Sequence, residues 1–211
     1  MDFKRARNDE QIANRQEEII NACYSLYLNG KYDDITFGKI SEITSISRPS
    51  IYNYYITKEE ILLDLLEKEY FNWYENFQNS FDENTRLTKK DLSNLLINSF
   101  CNCDIFLRLL SIQYSIIEKN CSFEKLTQFK MNPQVIIKSL EAVVGKTFPR
   151  STYNSRSTFA LMIFSTLGSF YEMCNPNEIE IKAMKIATRD YKLPEFKEMM
   201  SKHIETLIET L

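Results

Sequence analysis

The stretch from Thr36 to Lys58, T-F-G-K-I-S-E-I-T-S-I-S-R-P-S-I-Y-N-Y-Y-I-T-K, constrains this chain more than any other. Its apolar residues form two short helical patterns on either side of a turn. Phe37, Ile40 and Ile43 make the apolar side of the first and Ile51 and Tyr55 that of the second, while Ile46 plugs the turn. This spacing predicts two helices crossing steeply over a small core, a helix-turn-helix unit. The flanking residues punctuate it in the same sense. Gly30 follows a helical run and predicts a left-handed C-cap. Thr36 and Ser47 are predicted N-caps, with Pro49 in the first turn of the second helix, where a missing N–H is tolerated. Thr57 and Glu60 have capping-box spacing before a third helix, and Ile56 and Ile61 stand where a hydrophobic staple would close.

In such a unit the second helix enters the major groove of duplex DNA. Arg48 and Ser50 lie at its start, the part that meets base edges. The planar fork of Arg48 matches two acceptors of one guanine. Asn53 is placed for a base or a phosphate, Tyr52 and Tyr54 offer hydroxyls to the backbone, and Lys58 offers a charge. Thr36 presents a hydroxyl and the helix N-terminus behind it. With Ser47 at the cap, the predicted DNA-binding set is Thr36, Ser47, Arg48, Ser50, Tyr52, Asn53, Tyr54 and Lys58. Residues 1–11 read as a mobile polar arm whose Lys4, Arg5 and Arg7 would reach phosphate or a minor groove. A net charge of −3 and a pI near 5.4 exclude a generally basic coat protein. They leave room for a small basic face, and Lys39, Arg48 and Lys58 oppose only Glu42 within the stretch.

Residues 15–66 resemble the DNA-binding domain of the TetR family of transcriptional regulators. The resemblance is carried by Ile19, Ile20, Ala22, Leu26, Tyr27, Gly30 and Tyr32, then by Thr36, Ile40, Ile46, Ser47, Ile51, Tyr52, Tyr55, Lys58, Glu59 and Leu62. The run S-R-P-S-I-Y-N-Y-Y-I-T-K-E-E-I-L resembles the family's recognition helix and the start of its fourth helix. Ser41, Ser45 and Pro49 depart from the residues usual there. The resemblance implies an N-terminal three-helix reading domain, residues 1–60, and a C-terminal helical effector-binding and dimerisation domain, residues 61–211. It also implies pairing through the last two long helices, 154–174 and 195–211, into a four-helix bundle, and a helix from Lys58 that links the two domains mechanically.

Beyond the motif the chain reads as all-α. Four glycines and five prolines in 211 residues, 44% of them hydrophobic, favour long helices with few turns. A first helix is predicted from about Gln11 to Asn29, with Ile12, Ile19, Cys23, Leu26 and Tyr27 inward. Others are predicted at Lys58 to Gln78, Thr88 to Asn102, Asp104 to Asn120, Ser122 to Gly145 with a break before Pro133, Asn154 to Cys174, Ile179 to Asp190, and from 195 to the end. Asp82 to Leu87 reads as a polar break. The segment Asn154–Cys174 is apolar nearly all round, so it needs cover on most sides, and Ser165, Gly168 and Ser169 permit close helix approach. Two-fold pairing would give a sequence reader its second half-site.

Catalytic signatures are missing from the sequence. One histidine and no glycine-rich phosphate loop leave little for acid–base chemistry or a His-rich metal site. The five cysteines lack metal-ligand spacing and read as buried thiols in a reducing cytosol. The polar N-terminus gives no signal peptide, and the apolar run Phe159 to Phe170 is too short to span a membrane, which takes about 20 residues. The expectation is a cytoplasmic non-enzyme without cofactor or membrane. Trp73, Phe77, Phe100, Phe106, Tyr114, Phe164 and Tyr171 are the candidate lining of a pocket for an unknown small, apolar or aromatic effector. The function expected is a dimeric repressor on a palindromic operator, released by that effector. The alternative is a DNA-bound adaptor whose C-terminal domain binds a protein.

Overall fold

The computed structural model describes residues 2–82, 87–132 and 134–211, with side chains described from residue 9 onward. All regular structure in these residues is helical: α1 (Asp2–Asn29), α2 (Phe37–Glu42), α3 (Arg48–Ile51), α4 (Lys58–Asn79), α5 (Lys89–Cys101), α6 (Asp104–Ile112), α7 (Phe123–Met131), α8 (Gln134–Thr147), α9 (Tyr153–Cys174), α10 (Glu178–Ala187) and α11 (Phe196–Ile208). The fold is all-α, with an N-terminal helix-turn-helix and a C-terminal helical domain. The chain forms two compact units, Met1–Lys68 with Gln113–Asn132, and Glu69–Ile112 with Pro133–Leu211.

In the first unit, α1 begins at Asp2, where the sequence predicted an arm up to residue 11. Residues 2–11 contain no glycine, proline or β-branched residue, so nothing stops the helix from continuing upstream. The side chains of Lys4, Arg5 and Arg7 lie outside the described residues. Ile19, Cys23 and Tyr27 are buried as predicted, whereas Ile12 is exposed. No glycine has positive φ, so Gly30 is not a left-handed cap. Its role is close approach: a Cβ there would stand 3.0 Å from Asp34 Oδ2 and 3.1 Å from the Leu26 carbonyl oxygen. The 3₁₀ turn Tyr32–Asp34 folds this carboxylate back, and it accepts from the Lys31 N–H at 2.9 Å.

The segment predicted as one helix from Asp104 to Asn120 is broken. After α6 it becomes a π-helical turn, Gln113–Ile117, and then a 3₁₀ turn, Glu118–Asn120. The buried Gln113 amide donates to Glu118 Oε1 at 2.7 Å, a contact five residues on that suits the wider turn. α7 ends at Met131 and α8 begins at Gln134, so the predicted helix is divided in two; Pro133 itself and most of the predicted polar break, residues 83–86, lie outside the described residues.

In the second unit α9 packs on α6, α8 and α11, and α11 also packs on α5. Gly168 is the reason α9 and α6 lie so close. A Cβ on it would fall 2.6 Å from the Leu110 carbonyl carbon and 2.6 Å from the Ser111 nitrogen. These are backbone atoms that cannot swing aside. Gly168→Ala gains up to about 1 kcal/mol of helix propensity. The overpacking costs about 1–3 kcal/mol or more. The expected net result is destabilisation, read as a lower urea midpoint. Ser165 and Ser169, grouped with Gly168 by sequence, face outward instead.

Candidate nucleic-acid interface

The reading corner is built on three apolar plugs. Ile40 and Ile51 are fully buried and Ile46 nearly so, which fixes α2 against α3. Thr36 caps α2 by accepting from the Lys39 N–H at 3.1 Å, and Ser47 caps α3 by accepting from Ser50 N–H at 3.4 Å, with Pro49 in the first turn. The turn is clamped from α1. Glu18 accepts from the Ser45 N–H and from the Ser45 hydroxyl, to which Arg15 also donates. The backbone hydrogen bond from Ser45, then its hydroxyl, hold the Glu18 carboxyl below its usual range. Sequence reasoning missed this clamp, because its members are far apart in the chain.

The corner turns a polar strip to solvent. Thr36, Ser47, Arg48, Tyr52 and Asn53 are exposed, and Ser50, Tyr54 and Lys58 are half-buried. Ser50 shares its hydroxyl with Ser47 at 2.8 Å. Tyr52 rests edge-on against Phe37, centroids 4.7 Å apart, which sets its direction. Tyr55, by contrast, is buried and donates to Asp64 Oδ2 at 2.8 Å; burial, then the Asp64 charge, push its phenol well above the usual range.

Thr36, Arg48, Tyr52 and Lys58 line one open concavity of ≈ 590 Å³. Ser47, Ser50, Asn53 and Tyr54 lie outside it. Lys58 donates to the Tyr32 carbonyl at 3.0 Å and sits 3.7 Å over the Tyr32 ring, whose hydroxyl donates to Glu59. An ammonium has three donors, so it is oriented here with hydrogens to spare. Ile56 is 68% exposed and lines the same concavity, so the predicted staple with the buried Ile61 does not form. The predicted capping box is also altered. Thr57 accepts from the Glu60 N–H at 3.3 Å, but the Glu60 carboxylate reaches past the cap to the Ile56 N–H at 2.8 Å.

The first part of α4 carries a second polar row. Glu60, Asp64 and Glu67 recur on one face. Glu60 accepts from Ser122 N–H at 3.1 Å and its hydroxyl at 2.6 Å, Asp64 pairs with Lys125 at 2.6 Å, and Glu67 accepts from Asn132. Thr57 also donates to the Asn120 carbonyl at 2.9 Å. Burial alone would raise the Glu60 carboxyl, but the hydrogen bonds from Ser122 and Ile56 outweigh it and hold it low; burial raises that of Glu67. Residues 120–132 therefore strap the start of α4 through four polar contacts.

The predicted effector-binding residues divide. Trp73, Phe77, Phe100, Phe106 and Phe164 are buried together in the second unit. Trp73 stacks on Phe100 at 4.9 Å and on Phe77 at 5.1 Å and meets Phe164 edge-on at 5.2 Å, while its indole N–H donates to Ser99 at 3.1 Å. Phe106 is joined to this cluster through Tyr70. Tyr171 is half-buried and donates to Asp104 at 2.7 Å. Tyr114 belongs to the first unit, where it is 60% exposed on the π-helical turn. Among the described residues no cluster of His, Cys, Asp and Glu is placed to hold a metal ion, and no single helix is long and apolar enough to cross a membrane.

An all-α chain that turns a helix-turn-helix strip outward defines a class, the helix-turn-helix transcriptional regulators. Within it this chain belongs to the TetR family: the model of the tetracyclin repressor-like C-terminal domain matches residues 67–210. A search of curated proteins returns no match. Among solved structures the chain is similar in fold to the transcriptional regulator FadR from Bacillus subtilis in complex with stearoyl-CoA. The two are 15% identical over 92% of this chain and 98% of that one, with a TM-score of 0.56. The fatty acid degradation regulator FadR from Bacillus halodurans is 14% identical over 92% of this chain and 94% of that one, with a TM-score of 0.49.

Proposed function

We propose that this protein is a dimeric, cytoplasmic repressor that binds a palindromic operator and leaves it when an apolar effector binds. The reading domain is taken as residues 1–60 and the effector and dimer domain as residues 61–211. The observation that carries the reading is the outward strip around Arg48, fixed from behind by Ile46, Ile51 and the Glu18–Ser45 clamp. Arg48 takes the base-reading role, with Ser47, Ser50 and Asn53 beside it. Thr36, Tyr52, Tyr54 and Lys58 meet phosphate. The dimer forms through α9 and α11; on α9, Leu161, Met162 and Met173 are exposed.

The effector is a molecule with a long apolar chain, entering the second unit at the ring cluster around Trp73. The fold relative that holds stearoyl-CoA supports that chemistry. An effector acts only through unequal affinity for the DNA-bound and free states. α4 is the element it moves, because α4 contributes to both compact units. The test is anisotropy of a duplex enriched from a random pool, titrated with protein with and without stearoyl-CoA. Release at stoichiometric ligand is the expected result; affinity unchanged at saturating ligand rules out an acyl-chain effector of this class.

A second reading is favoured by Phe123 and Met131, which are 79% and 67% exposed on α7. A DNA-bound adaptor would use such a face for a protein partner, and it would keep its operator affinity in the same titration.

A further inference from the structure

α10 makes little use of its own chain. None of its ten residues is buried. Ile179 is 78% exposed and Ile186 88%. Its N-terminus is fully capped: Asn177 Oδ1 accepts from the N–H groups of Ile179 at 2.9 Å and Glu180 at 3.0 Å, and Glu180 accepts from Asn177 N–H at 2.7 Å. Caps alone do not hold so short a helix, since isolated helices under about 12–15 residues are marginal in water. Ile179, Ala183 and Ile186 recur on one face. A groove of ≈ 510 Å³, bordered by Met173, Pro176 and Met184, lies beside it. The helix from which it springs has the same surplus. On α9, Leu161, Met162 and Met173 are 58%, 46% and 55% exposed, with Ser165 and Ser169 exposed between them.

We infer that α10 is a clasp for a second copy of this chain, its Ile179–Ala183–Ile186 face packing on the other copy as a continuation of the α9 stripe. The inference rests on the dimer proposed above. It extends that dimer to an element outside the two helices assigned there. Three observations select a second copy as the occupant. The exposed apolar residues run on from α9 without leaving the segment that joins α9 to α11. The charges of α10 as a whole are balanced, Glu178 and Glu180 against Lys182 and Lys185, so two copies of the helix meeting across a two-fold axis carry no excess of one sign. A helix lying on a membrane has a Lys/Arg-rich polar face, which this one lacks, and the glutamates oppose docking on phosphate.

The test uses the full chain and sedimentation equilibrium. Ile179→Lys with Ile186→Lys changes side chains that are exposed in the single chain, so the subunit keeps its fold, checked by far-UV circular dichroism. The dimer dissociation constant should rise about ten-thousand-fold, roughly tenfold for each of the four apolar anchors lost, two from each copy. In the wild type, amides of residues 178–187 should be protected from exchange above that constant and unprotected below it. A variant that dimerises as tightly as wild type, with no concentration-dependent protection, overturns the clasp. If Leu161→Lys with Met162→Lys abolishes the dimer in that same case, the dimer stands without the clasp. A wild type that is monomeric throughout overturns both.

Discussion

Arg48→Ala is expected to lower the affinity of the proposed dimer for its enriched duplex by roughly 10²–10⁴-fold and to flatten its preference at one base pair in each half-site. A bidentate arginine–guanine contact carries about 1–3 kcal/mol, and a two-fold protein makes it twice. The side chain is exposed and forms no part of the corner's core, so thermal stability stays at the wild-type value. Lys39→Ala is the contrast. It removes an exposed charge that is given no base to read and that pairs with Asp34 at 3.0 Å, so it weakens all duplexes about equally, with at most a small fall in the salt slope. If Arg48→Ala and Lys39→Ala behave alike, Arg48 holds phosphate and does not read sequence.

Trp73→Ala has the largest expected effect on stability. It deletes an indole stacked between Phe77 and Phe100 and removes the N–H donated to the Ser99 hydroxyl, which keeps its own bond to the Leu96 carbonyl. Large aromatic deletions in cores cost about 3–5 kcal/mol. For a chain of this size that is a fall of roughly 10 °C in melting temperature, at about 2–4 °C per kcal/mol. The same variant examines the effector reading. If an acyl chain enters at the ring cluster, stearoyl-CoA recovers part of the lost stability in Trp73→Ala by filling the space. If those rings serve only as packed core, the ligand shifts the melting of neither protein.

Local signals and contacts across the chain were not equally legible in the sequence. The fold class and helix starts were legible because caps are local: Thr36, Ser47 and Thr88 each accept from an N–H three residues on, within reach of pattern. The buried face of the reading corner was legible from local pattern too: Phe37 and Ile40 follow helical spacing in α2, Ile51 and Tyr55 do so after the turn, and Ile46 is the lone buried apolar residue between them. Contacts across the chain were not. Asp64 and Lys125 are 61 residues apart, as are Ser111 and Glu172, and nothing in either neighbourhood announces the pair. Gly30 misled because a glycine after a helix fits a left-handed cap and a tight approach equally well; only the returning Asp34 decides between them. The aromatic stripe could not separate lining from core, because both need rings at helical spacing. The π-helical turn at Gln113 had no local signal; the amide that reaches Glu118 accompanies it only once the chain is folded.

The proposed function requires one such strip to be offered to DNA by each of two subunits. Selection of bound duplexes from a fully random pool, followed by sequencing, measures this most directly. An inverted repeat should emerge, its half-site centres one helical turn apart, about 10 bp, or a small multiple of that. Enrichment of a single unrepeated site, or none above the starting pool, would contradict it.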